Sequence, residues 1–396
     1  MSALPYRTWR TYSTKIGGQS YEIATKSGTL AHGRLDPAAV LLAEHAKVAS
    51  GDRVVHLNCG NGFTAAVAAK SAPDVSVYLV DRNIVSTEAA RRTLDANGVT
   101  KGEVLLGHGT HVLPRDLRAD SVVIRIPPER AALLQLLVDA FSILKDGGRC
   151  YIAGATNEGI KTAANTIETI FGNARVLARD SSHRVIVSAK RTSELTLPER
   201  VDATLLGYNT YKDVDVVLRG RNVRLCARPG VFSWEHLDEA TSILADVMEI
   251  HEGECVLDLG CGSGALGVVA ASLTSGRITM VDADIEAVRS AARTAEVNGM
   301  SNWRALASDI AGVVLEERFD VVVTNPPFHV GKATDLDVPI QFINDAHDVL
   351  APHGRMFLVA NRTLPYEQAI KHRFGNVSNV HDGPRFKVLS AVRANG

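Results

Sequence analysis

Short apolar runs of strand length alternate along this chain with longer stretches in which apolar positions recur at helical spacing. In the C-terminal half, Cys255–Leu259, Arg277–Val281, Phe319–Thr324 and Arg355–Ala360 read as buried strands. Between them, Ala265–Ser272, Ile285–Asn298 and the region Gln341–Leu350 carry the helical pattern, with Gly299 as a C-terminal stop. A further strand is placed just before Ser308. Ahead of this core, Val214–Leu218 and Val223–Ala227 flank the polar stretch Arg219-Gly220-Arg221-Asn222 and predict a hairpin. Strands alternating with helices call for an α/β fold: an open, mostly parallel sheet with helices on both faces.

The pattern occurs twice. Gly28, Leu35, Asp36 and Leu42 recur 202 positions later as Gly230, Leu237, Asp238 and Leu244. The same offset maps Val55-His56-Leu57-Asn58-Cys59-Gly60-Asn61-Gly62 onto Leu257-Asp258-Leu259-Gly260-Cys261-Gly262-Ser263-Gly264. Close to that register, Val80-Asp81 answers Val281-Asp282, Asn97-Gly98 answers Asn298-Gly299, and Pro127-Pro128 answers Pro326-Pro327. A hairpin around Gly17-Gly18 matches the second one. A period this long marks a duplicated domain rather than a solenoid. The expected division is residues 1–195 and 200–396, joined through the Thr/Ser/Glu-rich segment Lys190 to Arg200.

Composition adds boundaries to this picture. The 396 residues are 45% apolar and 22% charged, the balance of a folded chain with large cores. No window approaches a membrane span, and the start, Met1 to Arg7, has no secretory apolar block. The five cysteines (Cys59, Cys150, Cys226, Cys255, Cys261) form no C-x-x-C pair, which disfavours disulfides and structural zinc and suits the cytoplasm. The scattered histidines His56, His108 and His111 lack a carboxylate neighbour, so no metal is expected. Net charge is −1 overall, but residues 1–195 hold 24 Lys+Arg against 18 Asp+Glu, while the rest hold 19 against 26. A local patch on the first copy is therefore the place where a polyanion would meet this protein, an alternative to ordinary scatter of charge.

The chemistry sits in two motifs of the second copy. Gly260, Gly262 and Gly264 lie between a strand and a helix, where bare backbone lets a ligand approach a helix N-terminus. The stretch Gly262 to Gly267 also fits the dinucleotide pattern G-x-G-x-x-G, with Asp282 placed to bind a ribose. Asp258 argues against a pyrophosphate, which it would repel, and favours a ligand with an ammonium group: S-adenosylmethionine. Asp282 would then bind the ribose hydroxyls and Asp309 the adenine amino group. The competing reading of Asp258 is a helix-capping acid.

The second motif is Asn325-Pro326-Pro327-Phe328, at the end of a buried strand where open α/β sheets bind ligands. Prolines remove backbone donors and stiffen the loop. The Asn325 side-chain oxygen and the Pro326 carbonyl then form two acceptors suited to the two protons of an exocyclic amino group. Holding those protons aims the nitrogen lone pair at an electrophile, and Phe328 offers a face for a stacked base, worth about 1–3 kcal/mol.

Together these motifs resemble the class I S-adenosylmethionine-dependent amino-methyltransferases. Pro229-Gly230-Val231-Phe232-Ser233, Asn325-Pro326-Pro327-Phe328-His329, Val359-Ala360-Asn361-Arg362 with Leu364-Pro365-Tyr366, and Arg385-Phe386-Lys387-Val388 resemble, more narrowly, the bacterial ribosomal RNA guanine-N2 methyltransferases with a duplicated domain, especially the small-subunit (16S) group. The large-subunit (23S) group shares Asn-Pro-Pro-Phe-His and the two-domain plan. The resemblance implies two tandem Rossmann-like methyltransferase domains, each an open sheet with an antiparallel last strand. It implies methyl transfer to guanine N2 of 16S ribosomal RNA within the small subunit, by a cytoplasmic monomer. Catalytic roles fall on Asn325, Pro326 and Phe328. Cofactor contacts fall on Asp258, Gly260, Gly262, Gly264, Asp282 and Asp309, and substrate contacts on Pro327, His329, Lys332, Arg385 and Lys387. Phe232 and Ser233 are further candidates for the cofactor pocket.

The first copy departs at both motifs. His56 replaces Asp258, Asn58 replaces Gly260, and Ile126-Pro127-Pro128-Glu129 replaces Asn325 to Phe328. Residues 1–195 are thus expected to be a degenerate copy without cofactor, serving as scaffold and RNA-docking surface. Rival readings are methylation of another planar amino group such as adenine N6 or a glutamine amide, a nicotinamide-dependent oxidoreductase, and a non-catalytic RNA-binding assembly factor.

Overall fold

Each half of the chain forms its own seven-stranded mixed sheet, in a computed structural model that describes residues 6–29, 32–199, 201–327 and 336–395. The two units are Met1–Thr210 and Tyr211–Gly396. The first contains β1 (Arg10–Ile16), β2 (Gln19–Thr25), α1 (Pro37–His45), β3 (Arg53–Leu57), α2 (Phe63–Ser71), β4 (Ser76–Asp81), α3 (Ile84–Ala96) and β5 (Gly102–Leu106). It continues with β6 (Ala119–Arg125), α4 (Arg130–Ile143), β7 (Leu144–Ala155), α5 (Ile160–Phe171), β8 (Arg175–Arg179) and β9 (His183–Ala189). The second contains β10 (Lys212–Leu218), β11 (Arg221–Ala227), α6 (Glu239–Val247), β12 (Val256–Leu259), α7 (Ala265–Ala271), β13 (Ile278–Asp282), α8 (Ile285–Val297) and β14 (Trp303–Ala307). It ends with β15 (Phe319–Thr324), α9 (Asp337–Val349), β16 (Leu350–Asn361), α10 (Tyr366–Phe374), β17 (Ser378–Asp382) and β18 (Phe386–Val392).

The strand orders are β5-β4-β3-β6-β7-β9-β8 and β14-β13-β12-β15-β16-β18-β17, the same arrangement twice. In the second sheet β12 to β16 pair in parallel, and only β18 runs against its neighbours β16 and β17. The antiparallel final strand implied by the family resemblance is β18, with β9 as its counterpart. Strand order reverses between β12 and β15, so a crevice opens at the carboxyl ends of these two strands. Their register sets Asp258 beside Val323, which brings the glycine turn after Leu259 next to Asn325.

The hairpins explain a repeat that the sequence showed without a reason. The outer edge of β11 is satisfied by α8: Cys226 N–H donates to Thr294 Oγ1 (2.9 Å), and Asn298 trades hydrogen bonds with the Arg224 backbone (3.1 and 2.8 Å). Thr93 and Asn97 of α3 do the same for β2, meeting Ala24 and Glu22. Asn97-Gly98 and Asn298-Gly299 therefore end a helix and also close a sheet edge.

Two boundaries differ from the sequence reading. Helix α9 begins at Asp337 rather than near Gln341, because Pro339 lies in the first turn, where a missing N–H has no intrahelical partner to lose. The division between units falls at Thr210, beyond the expected joint. Gly207 N–H donates to Gln135 Oε1 (2.7 Å) and the Tyr208 hydroxyl bonds Asp139, which ties the segment after Leu205 to α4. Among the described residues, no helix is long and apolar enough to cross a membrane.

Gly264 shows how tightly α7 packs on α8. It has φ +84°, and a Cβ there would lie 3.0 Å from the Cα and Cβ of Ala291. Gly264→Ala is expected to cost about 2–4 kcal/mol from left-handed strain plus overpacking, read as a lower urea midpoint of the second unit. An unchanged midpoint would mean that the two helices have room to separate.

Candidate active site

The three glycines of the turn have different work. Gly260 (φ +80°) leaves space for the Phe342 ring of α9, 3.0 Å from where a Cβ would sit. Gly264 makes the α7–α8 contact. Only at Gly262 (φ +52°) would a Cβ point into open space, and its N–H is held by Asp282 Oδ2 at 3.0 Å.

Asp258 lies on β12, fully buried. Its Oδ2 accepts from the Gly267 N–H (2.9 Å), in the first turn of α7, so it caps that helix. Its Oδ1 is buried without a partner. Burial pushes the carboxyl up to about 7; the Gly267 hydrogen bond opposes this and nearby Asp282 adds to it. The helix-capping reading of Asp258 therefore holds for one of its two oxygens. A cationic group brought near would favour the charged form.

Asp282 ends β13 and orders the turn around it. Besides Gly262, it accepts from the Asp284 N–H through Oδ1 (2.9 Å). Asp309 is half-buried in the turn after β14, next to Ile310, whose φ of +53° is costly for a β-branched side chain, about 1–3 kcal/mol. The turn is held in that shape by Ala311 N–H to Asp345 Oδ2 (3.1 Å), Gly312 N–H to the Asp309 carbonyl (2.9 Å) and Val313 N–H to Ser308 Oγ (3.1 Å). Gly109 takes the same left-handed place in the first unit (φ +67°).

At the end of β15, Asn325 is oriented by the N-terminus of α6. Its Nδ2 donates to Asp238 Oδ2 (3.0 Å) and Thr241 Oγ1 (2.9 Å). Its Oδ1 is buried and has no partner. Pro326 is buried and Pro327 exposed. Phe328, His329 and Lys332 lie outside the described residues. The loop that carries Pro229 to Ser233 is anchored by Arg228, whose guanidinium pairs with Glu286 of α8 at 2.7 Å, both side chains being buried. Phe232 projects from that loop, 61% exposed.

The two basic candidates separate. Arg385 is largely exposed beside Glu239. Lys387 is buried and paired with Glu367 at 2.6 Å. Sequence reading missed Asp238, Thr241, Ile310 and Asp345. The repeat carried a signal for two of them: Asp36 matches Asp238, and Gln135 with Asp139 matches Gln341 with Asp345, each glutamine bonding its aspartate.

In the first unit the same positions are closed. His56 is buried with both ring nitrogens unpartnered, and burial lowers it to about 3, so it is a neutral ring. Asn58 (φ +56°) donates to the Arg125 carbonyl at 2.6 Å. Arg125, 8% exposed, fills the corner with its guanidinium, bonding Asp36 Oδ2 (2.6 Å) and Glu158 Oε1 (2.8 Å). The helix-capping aspartate that holds Asn325 in the second unit holds an arginine here. The aspartate contacts of the turn are kept: Asp81 accepts from the Gly60 N–H (2.8 Å) and the Asn83 N–H (2.9 Å), as Asp282 does from Gly262 and Asp284. Among the described residues, no group of three His, Cys, Asp or Glu side chains is placed to hold a metal.

Fold and site together define a methyltransferase. The chain matches the methyltransferase small domain family over residues 20–187 and again over 222–390, and it belongs to that family in both halves. A ribosomal RNA small subunit methyltransferase C of Hahella chejuensis is 32% identical, covering 71% of this chain and 80% of the relative. One of Shewanella pealeana is 31% identical, covering 72% and 81%. A solved T. thermophilus 16S rRNA N2 G1207 methyltransferase, in complex with AdoMet and guanosine, is similar over 97% of this chain and 98% of its own, with TM-score 0.80 and 29% identity.

Burial makes matched residues respond to acid in opposite senses. The folded chain keeps His56 neutral to about pH 3, while the unfolded chain protonates it near 6.5. Stability of the first unit therefore falls as pH drops below 6.5, approaching about 1.4 kcal/mol per pH unit. Asp258, raised to about 7, holds its proton longer when folded, so the second unit gains stability as pH falls from about 7 towards 4. Urea unfolding between pH 6.5 and 5, resolved by peptide-level hydrogen exchange, should show the first slope vanish in His56→Leu and the second in Asp258→Asn. Slopes unchanged in both variants would assign the acid response to other groups.

Proposed function

We propose that this protein transfers a methyl group from S-adenosylmethionine to the exocyclic N2 amino group of a guanine in 16S ribosomal RNA, using the second unit alone. The observation that carries this reading is the buried, unpartnered Asn325 Oδ1 at the crevice beside the glycine turn. A buried acceptor left without a donor is costly, and a nucleobase amino group is a donor that would satisfy it. Family membership supports methyl transfer, and the small-subunit relatives support the same substrate.

The second unit fits the cofactor. Gly262 offers open backbone, Asp282 holds that backbone in place, Asp309 sits on the turn that an adenine amino group would meet, and Asp258 Oδ1 is a reserve acceptor. When bound, S-adenosylmethionine supplies an electrophilic methyl group on a sulfonium. The chain's own part is orientation. Asn325 Oδ1 and the Pro326 carbonyl accept the two amino protons, which turns the nitrogen lone pair out of conjugation with the ring. The amino group becomes acidic only on alkylation, so its proton leaves to solvent and no strong base is required. Phe328 stacks the base, and a base in a duplex must first be extruded.

The first unit serves as scaffold and RNA-docking surface, in line with its excess of 24 Lys+Arg over 18 Asp+Glu in residues 1–195. Its corner is filled by Arg125 and its buried acid replaced by a neutral imidazole, so one cofactor is bound per chain. The substrate is the small subunit particle, and the enzyme acts in the cytoplasm as a monomer.

Incubation with labelled S-adenosylmethionine and unmodified small and large subunits, separately, should label one guanine N2 in 16S RNA. Label on 23S RNA, on protein or nowhere would overturn the assignment. In Asn325→Ala, cofactor affinity should stay within about threefold while methylation falls by at least about 10²-fold, the scale of losing one oriented polar contact to a reacting group. Equal loss of both would make Asn325 a folding residue. Calorimetric titration of the full chain should give one cofactor per chain, and Gly262→Val should abolish it; a stoichiometry of two would restore the first unit as a cofactor domain.

A further inference from the structure

We propose that Asp238 and Thr241, at the N-terminus of α6, are positioning residues that decide which end of the Asn325 amide faces the methyl-accepting amino group. This rests on the reaction assigned above. An asparagine amide is nearly symmetric in shape but opposite in hydrogen bonding at its two ends: the oxygen accepts, the nitrogen donates. Turned over, Asn325 would present N–H groups to an amino group that is itself a donor, and the site would repel its substrate.

The structure removes that choice. Asp238 Oδ2 accepts from the Thr241 backbone N–H (2.8 Å), from the Thr241 hydroxyl (3.1 Å) and from Asn325 Nδ2 (3.0 Å). Because the Thr241 hydroxyl spends its proton on Asp238, the oxygen 2.9 Å from Asn325 Nδ2 offers only lone pairs. A reversed amide would set its carbonyl oxygen against a carboxylate oxygen and a hydroxyl lone pair at once. The orientation that remains leaves Asn325 Oδ1 buried and unpartnered, ready to accept. The first unit supports the assignment by contrast. Asp36 caps α1 as Asp238 caps α6, and it too reaches the end of the adjoining strand, but it meets Arg125, which has no acceptor to orient.

The test separates helix capping from amide orientation. In Asp238→Ser a serine still caps α6 well but is too short to reach Asn325. In Thr241→Val the shape is kept and the hydroxyl removed. Steady-state methylation of small subunits by the Asp238→Ser/Thr241→Val chain should show kcat lower by roughly 30–100-fold, the scale of a misplaced reacting group. KM for subunits, cofactor affinity and melting temperature should stay close to the parent. Thr241→Ser, which returns the hydroxyl, should recover the turnover that Thr241→Val loses. A folded double variant with kcat within threefold of the parent overturns the proposal, as does a kcat loss matched by weaker cofactor binding, which would make the pair structural. Should Asp238→Ser fail to fold, Thr241→Val alone decides on the same criteria, with an expected loss of roughly 5–10-fold. Failure of the assigned reaction shows differently: the parent would leave the small subunit unlabelled, or Asn325→Ala would retain activity, whatever the α6 variants do.

Discussion

The site depends on the parallel pairing of β12 with β15. Asp258 stands opposite Val323 in that pairing, and the chain order of the sheet reverses between these two strands. The loop after each strand consequently leaves the sheet at the same edge with no crossover helix between them. A glycine turn able to accept a ligand and an amide able to orient an amino group are 60-odd residues apart in the chain and become neighbours for this one reason. Register is what makes the arrangement sharp, since a slip of one residue would send Asp258 to the opposite face of the sheet.

The duplicated units show how little of a fold is chemistry. Both keep the same strand order, the same edge closure by a Thr and an Asn from a helix, and the same aspartate cap on the helix before the core strand. At the buried position on the central strand, one carries an imidazole and the other a carboxyl, and burial drives both towards neutrality, the base downward and the acid upward. At the corner, one has a guanidinium held by two carboxylates and the other an amide with a waiting oxygen. The ion pair fills the corner of the first unit; the amide of the second keeps a buried oxygen without a partner. The scaffold survives exchange of these groups because both arrangements satisfy the same cap, Asp36 or Asp238.

Particular residues show where reading the chain succeeds and where it stops. Phe319–Thr324 is readable as a strand to the residue, and the glycine turn and Asn325 stand out as candidates, because each depends on local chemistry: apolar runs, φ-tolerant glycines, prolines without donors. Lys387 is a candidate for RNA on its charge alone. Its charge is visible in the chain, but its pairing with Glu367 twenty residues earlier depends on how α10 lies against β18. The atom that Gly260 makes room for belongs to Phe342, more than eighty residues away, which no local pattern announces.

What the sequence determined alone is the duplication, the α/β alternation and the identity of the groups at the two motifs, since these follow from periodicity and from the hydrogen-bonding inventory of single side chains. What only the tertiary structure decided is which atom each group presents. Asp258 gives one oxygen to a helix N–H and keeps the other buried without a partner; Asn325 is held by Asp238 and Thr241; Arg125 fills the first corner. Those outcomes are set by partners distant in the chain and by burial, and neither is a property of the residue that carries the function.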